Sequence, residues 1–115
     1  KWAQTVEKLG AGEILLNSVD RDGSRMGYDI KLLKNISKSV NIPVIATGGV
    51  GKVEHLAEGI LKGYCQAVGA SNIFQHAEHS TILAKTYLKK KKIPIRLNSE
   101  LNYDNDSFDH LGRPI

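Results

Sequence analysis

Three short runs in this chain have residue types and spacing suited to chemistry. Gly48-Gly49 directly follows the apolar run Val44-Ile45-Ala46-Thr47. Glycine lacks a Cβ, so its backbone N–H can approach an anion closely. Ala70-Ser71-Asn72 follows the small-residue run Gln66 to Gly69 and offers further N–H groups and a hydroxyl. Two neighbouring strands that end this way form a cradle for phosphate. The plainer reading is that these glycines only relieve a tight turn, but two successive strand ends of this kind favour phosphate. The third run, Asp20-Arg21-Asp22-Gly23, fails as a calcium loop, because its glycine stands fourth rather than sixth and Lys31 occupies the twelfth position. Beside a phosphate, Asp22 could orient a substrate hydroxyl or assist proton transfer. Alternatively, Asp22-Gly23 only bends a solvated turn.

Other polar clusters read as surface. His76 and His79 have the spacing of two zinc ligands, but only Cys65 could join them, so no metal site or cofactor is expected. His55 reads as a helix-surface residue. Lys89 to Lys92 reads as a solvated helix end, where cations complement the dipole. The sequons at Asn35 and Asn105 carry little meaning in a chain of cytoplasmic character.

The elements that must position these runs are legible. Trp2 to Leu9 reads as a helix ended by Gly10, with Trp2, Val6 and Leu9 on one face. Glu13 to Asn17 reads as a strand, and Asp29 as the N-cap of a helix that faces Ile30, Leu33, Ile36 and Val40 inward. Pro43 stops that helix before a strand at Val44 to Thr47. A helix from about Val53 to Lys62 follows, stopped by Gly63, and then a strand at Gln66 to Ala70. Ser80 caps a last helix to about Lys91, and Ile93 to Leu97 is extended. Alternation of this kind predicts parallel strands with right-handed crossovers. The choices are an open doubly wound sheet or part of a (β/α)8 barrel. A whole barrel needs about 200–250 residues, so 115 residues supply only a part.

Composition narrows the classes. Hydrophobic residues make up 41% and charged residues 24%, a globular balance. No apolar run is long enough to span a bilayer, and no signal-peptide core follows Lys1, so no membrane role is expected. The single cysteine, Cys65, permits no disulfide within the chain and fits a reducing, cytoplasmic setting. Residues 1–97 hold fifteen Lys and Arg against eight Asp and Glu, whereas residues 98–115 hold one against four. A basic body suits an anionic substrate. Aromatic residues are only 6%, too few for the stacking platforms of a nucleic-acid binder. Residues 98–115 read as an acidic, irregular or partly disordered extension of a unit spanning 1–97.

The runs together are specific. Gly10 to Gly23, with Glu13-Ile14-Leu15-Leu16-Asn17 and Asp20-Arg21-Asp22-Gly23, closely resembles the sixth strand and loop of the cyclase subunit of imidazole glycerol phosphate synthase. Gly27-Tyr28-Asp29, Pro43 to Gly51 and Glu54-His55 continue the likeness through the seventh strand, and Ala70 to Phe74 fits the eighth. The resemblance covers residues 2–97 in one register and implies the C-terminal portion of a (β/α)8 barrel, a TIM barrel. It implies a phosphorylated ribonucleotide substrate, a glutaminase partner supplying ammonia through the barrel, and a lyase of histidine biosynthesis. It places one substrate phosphate at Gly48, Gly49, Ala70 and Ser71, and gives Asp22 and Asn17 auxiliary catalytic roles. Glu13 falls among the charged residues at the ammonia entrance. The family's two principal catalytic aspartates belong to the first and fifth strands, which this chain lacks. It therefore resembles part of an enzyme, not a complete cyclase. The segment Asn72 to Ser80, with Val50 and the acidic tail, looks more like a paralogous branch linked to acetamidino modification of bacterial surface sugars. A different class stays open as well: a non-catalytic phosphate-binding or assembly module, self-associating through exposed strand edges.

Overall fold

In the computed structural model, which describes residues 1–76, 80–104 and 107–108, helices and strands alternate along the chain. The order is α1 (Trp2–Lys8), β1 (Ile14–Asn17), α2 (Ile30–Ser37), β2 (Val44–Thr47), α3 (Val53–Leu61), β3 (Ala67–Val68), α4 (Asn72–His76) and α5 (Thr81–Lys90). The strands form one parallel sheet in the order β1-β2-β3, so each crossover helix links neighbouring strands. Successive parallel neighbours joined by helices are the pattern of consecutive units of a (β/α)8 barrel.

Local chemistry sets the boundaries. Asp29 caps α2, its Oδ1 accepting from the Leu32 N–H at 2.9 Å. Ser80 caps α5, its Oγ accepting from the Leu83 N–H at 3.2 Å. Gly10 ends α1 in the left-handed region at φ 100°. α2 stops at Ser37, before Val40, yet Val40 is still buried. β3 is shorter than the run Gln66 to Ala70 suggested, with only Ala67 and Val68 in the ladder. The acceptor for the Val44 N–H is a side chain, Gln66 Oε1, at 2.9 Å.

Strand alternation divides the sheet into two unlike faces. Ile14, Leu16, Val44, Ala46 and Val68 meet the helices, with Val44 and Ala46 fully buried against Leu33, Val53 and Leu56. Leu15, Ile45 and Ala67 sit on the other face in register, and Leu15 is 65% exposed. Among the described residues, the helices thus cover one face only. The apolar stripe of α1 is largely uncovered: Trp2 and Leu9 are 74% and 79% exposed, Val6 is half-buried, and Ala3 alone in that helix is buried.

The first part of the tail is ordered against α5. Asp104 pairs with Lys89 at 2.7 Å, Tyr103 is buried with its hydroxyl accepting from the Asn98 N–H, and the Phe108 ring meets Tyr87 edge-on at 5.6 Å. Asn105, Asp106 and residues 109–115 lie outside the described residues, as does His79.

Candidate functional site

Parallel strands all end at one side of the sheet, so the segments that follow β1, β2 and β3 converge there. They enclose a cleft of about 290 Å³ lined by Asn17, Asp22 and Gly23, by Thr47 to Val50, and by Gly69 to Asn72. Of the residues singled out in the sequence, Asn17, Asp22, Gly48, Gly49, Ala70 and Ser71 therefore share one cleft. Glu13 does not. It precedes β1, is exposed, and stands at the opposite end of the sheet.

The two glycines are needed for conformation and for space. Gly48 and Gly49 sit at φ 91° and 97°, where L side chains are rarely found. A Cβ on Gly48 would lie 2.7 Å from Asn17 Oδ1, and one on Gly49 would meet the Gly27 carbonyl oxygen. The turn after β2 is thus pressed against the loop after β1. The Gly27 N–H donates to the Gly49 carbonyl at 2.7 Å and locks the pair.

This packing leaves donors for the cleft. Among the described residues, the N–H groups of Gly48, Gly49, Val50, Ala70, Ser71 and Asn72 have no protein acceptor. Gly49 and Val50 are buried, where an unpaired N–H is costly. Unpaired donors around one cleft suit an anion with several acceptor oxygens. At the rim, Thr47 Oγ1 lies 3.2 Å from both the Leu16 carbonyl oxygen and Asn17 Oδ1, so Asn17 is held in place from the paired strand. Asp22, exposed on the first loop, is the one ionisable side chain in the lining.

Sequence reasoning missed two residues beneath the cleft. Tyr28 is buried, and its hydroxyl donates to the Gly69 carbonyl at 2.8 Å, linking the start of α2 to the end of β3. Burial, with the nearby Cys65, pushes its pKa well above the ordinary phenol value. His55 is 7% exposed and not on the helix surface. Its Nδ1 accepts from the Gly51 N–H at 3.1 Å, and a Cβ on Gly27 would lie 3.2 Å from its ring. Burial and then Lys52 lower its pKa below the ordinary 6.5. The helical period grouped Val53, Leu56, Ile60 and Leu61 as one apolar face, of which Val53 and Leu56 are buried, Ile60 is half-buried and Leu61 is exposed, and it could not show that a loop would fold over His55. Thr47 carried a usable signal, since it has the same strand parity and end position as Asn17.

Among the described residues, no cluster of three His, Cys, Asp or Glu is placed to hold a metal. No helix among them is long and apolar enough to cross a membrane.

Comparison with known proteins gives consistent relatives. A Vibrio vulnificus (strain YJ016) protein, provisionally named imidazole glycerol phosphate synthase subunit hisF2, is 59% identical over 113 residues, covering 98% of this chain and 42% of that relative. The imidazole glycerol phosphate synthase subunits HisF of Prosthecochloris aestuarii (strain DSM 271 / SK 413) and Chlorobaculum parvum (strain DSM 263 / NCIMB 8327) are 56% and 55% identical over 97 residues, covering 84% of this chain and 39% of each relative. The chain thus spans about two-fifths of the length of these curated relatives. Among solved structures, the Amycolatopsis orientalis BexX/CysO complex shares the fold at TM-score 0.55 and 18% identity, over 84% of this chain and 43% of that one. The family model described as histidine biosynthesis protein matches residues 1–80. With that match over most of its length, this chain of three parallel βα units belongs to the histidine biosynthesis protein family.

Proposed function

We propose that this chain is the phosphate-binding portion of a cyclase-type subunit of imidazole glycerol phosphate synthase. The observation that carries the reading is the set of N–H groups, without a protein acceptor among the described residues, on residues of two adjacent strand ends that line one cleft. Gly48, Gly49, Ala70 and Ser71 hold one phosphate of a phosphorylated ribonucleotide. Asn17 and Asp22 stand at the edge of the same cleft, where they contact the sugar or the reacting group in an auxiliary role. Glu13, at the far end of β1, suits the entrance by which ammonia arrives from a glutaminase subunit. The names of the HisF relatives support this assignment. The residues assigned here bind and position substrate, and no residue among them is assigned the role of a principal catalytic aspartate.

A second reading rests on how far the relatives match. The HisF relatives match 97 residues, whereas the hisF2 relative matches 113, which brings in the acidic tail. This favours a divergent branch that keeps the phosphate cleft and uses ammonia in another reaction, such as sugar modification.

Titration with inorganic phosphate, followed through backbone amide resonances, tests the site. The amides of Gly48 to Val50 and Ala70 to Asn72 should shift together. Ser71→Ala should weaken binding by about tenfold, the effect of one lost charge-assisted hydrogen bond. Shifts confined to Lys89 to Lys92 would overturn the reading.

A further inference from the structure

We propose that His55 is a positioning residue for the cleft, holding the turn after β2 and the loop after β1 in the one arrangement that turns their N–H groups toward an anion. The inference rests on the anion reading above and names the group that sets its geometry.

His55 itself lies outside the cleft lining, so it does not touch the anion. It acts through two glycines. Its Nδ1 accepts from Gly51, and its ring lies under Gly27, whose N–H donates to Gly49. Gly51 in turn has no room for a side chain, because a Cβ there would meet the backbone of Arg25. Arg25 is held at φ 60°, a conformation uncommon outside glycine. Two irregular loops are therefore packed backbone to backbone, and a buried ring from α3 lies beneath both. Remove the acceptor, and the Gly51 N–H loses its partner in a partly buried setting.

The bond also fixes a protonation state. Nδ1 accepts, so it carries no proton. Protonation would set a ring N–H against the Gly51 N–H, and the turn would have to move. The charges acting on His55 come mainly from α3: Lys52 disfavours the cation, while Glu58 and Glu54 favour it. Arg25 lies across Gly51. Tyr28, packed on Gly59 of α3, and Tyr87 of α5, near Glu54 and Glu58, have raised pKa values and stay neutral near pH 7.

Bracing and simple charge predict opposite signs. If His55 acted only as a charge, its protonation at low pH would tighten binding of an anion. If it braces the loops, protonation weakens binding. Sulfate is a suitable probe because it remains a dianion from about pH 8 to about pH 5, the range in which histidine changes charge.

The experiment uses the whole chain. Sulfate affinity and the exchange protection of the Gly27 and Gly51 amides are measured across that range, for wild type, His55→Asn and His55→Leu. Asn places an acceptor oxygen near the position of Nδ1 and does not titrate. Wild type should lose about tenfold in sulfate affinity as His55 protonates, with protection at both glycines falling in step. His55→Asn should keep the affinity and lose the pH dependence. His55→Leu should bind weakly at every pH. Should the Leu variant fail to fold, the wild-type profile and the Asn variant still decide. Tighter sulfate binding at low pH, or glycine protection that ignores the titration, would overturn the proposal. Protection that follows His55 while sulfate binds nowhere would uphold the brace and sink the anion reading instead.

Discussion

At the scale of single residues, Asp22 and His55 separate two kinds of importance. Asp22 is exposed, and no hydrogen bond or ion pair engages its side chain among the described residues. Asp22→Asn should therefore leave the thermal midpoint unchanged. It should tighten inorganic phosphate, because a negative charge beside the anion is lost, and yet slow turnover in an intact assembly that contains this chain. A lowered midpoint with unchanged turnover would make Asp22 a turn residue. His55 behaves in the opposite way. Its folded-state pKa is depressed below 6.5, so the unfolded chain binds a proton more readily. Its contribution to stability is complete above the unfolded value and is lost as pH falls from there toward the lowered one. Urea midpoints should fall over that window in wild type, and the fall should be smaller in His55→Asn. The glycines, Asn17 and Ser71 were legible because strand ends in this alternation have a known location. His55 was not, because its cover comes from a loop, and loops have no period.

At the scale of elements, the capped helices were the most legible parts. Asp29 and Ser80 each stand before an apolar period and each make the expected bond. Asp29→Ala should cost about 1 kcal/mol, and Leu33→Ala, which empties a site 3% exposed under the sheet, about 2–5 kcal/mol by denaturant unfolding. A loss at Asp29 far below its expected figure would mean that the start of α2 is fixed by Tyr28 as well as by its cap. α1 was legible as a helix but not in its burial. Its stripe of Trp2 and Leu9 has the period of a buried face and is exposed. Periodicity records what a helix is built to meet, and nothing among the described residues meets this face. β3 was overestimated for a related reason. Its small residues fit a strand, but a ladder needs partners, and β2 alone supplies them here.

At the scale of the whole molecule, the sheet has two edges and one uncovered face. Among the described residues, β1 and β3 each pair only with β2, and Leu15, Ile45 and Ala67 lie on the open side. A groove of about 530 Å³, lined in part by Val68, Phe74, Leu88 and Ile95, runs along β3. Asp104 and Phe108 of the tail contact α5. Unpaired edges invite pairing, so sedimentation across a dilution series should show a second copy joined to the first. A cooperatively unfolding monomer at low micromolar concentration would exclude that. The Tyr28 bond to Gly69 has a different kind of consequence, because it spans 41 positions. A ribosome releases Tyr28, then the glycines after β2, and only later Gly69. A nascent chain stalled with Gly69 still in the exit tunnel would display Gly48 and Gly49 outside the ribosome with no third strand end beside them. Anion capture should therefore switch on late in synthesis, as Gly69 to Asn72 emerge, and not in proportion to the length already made.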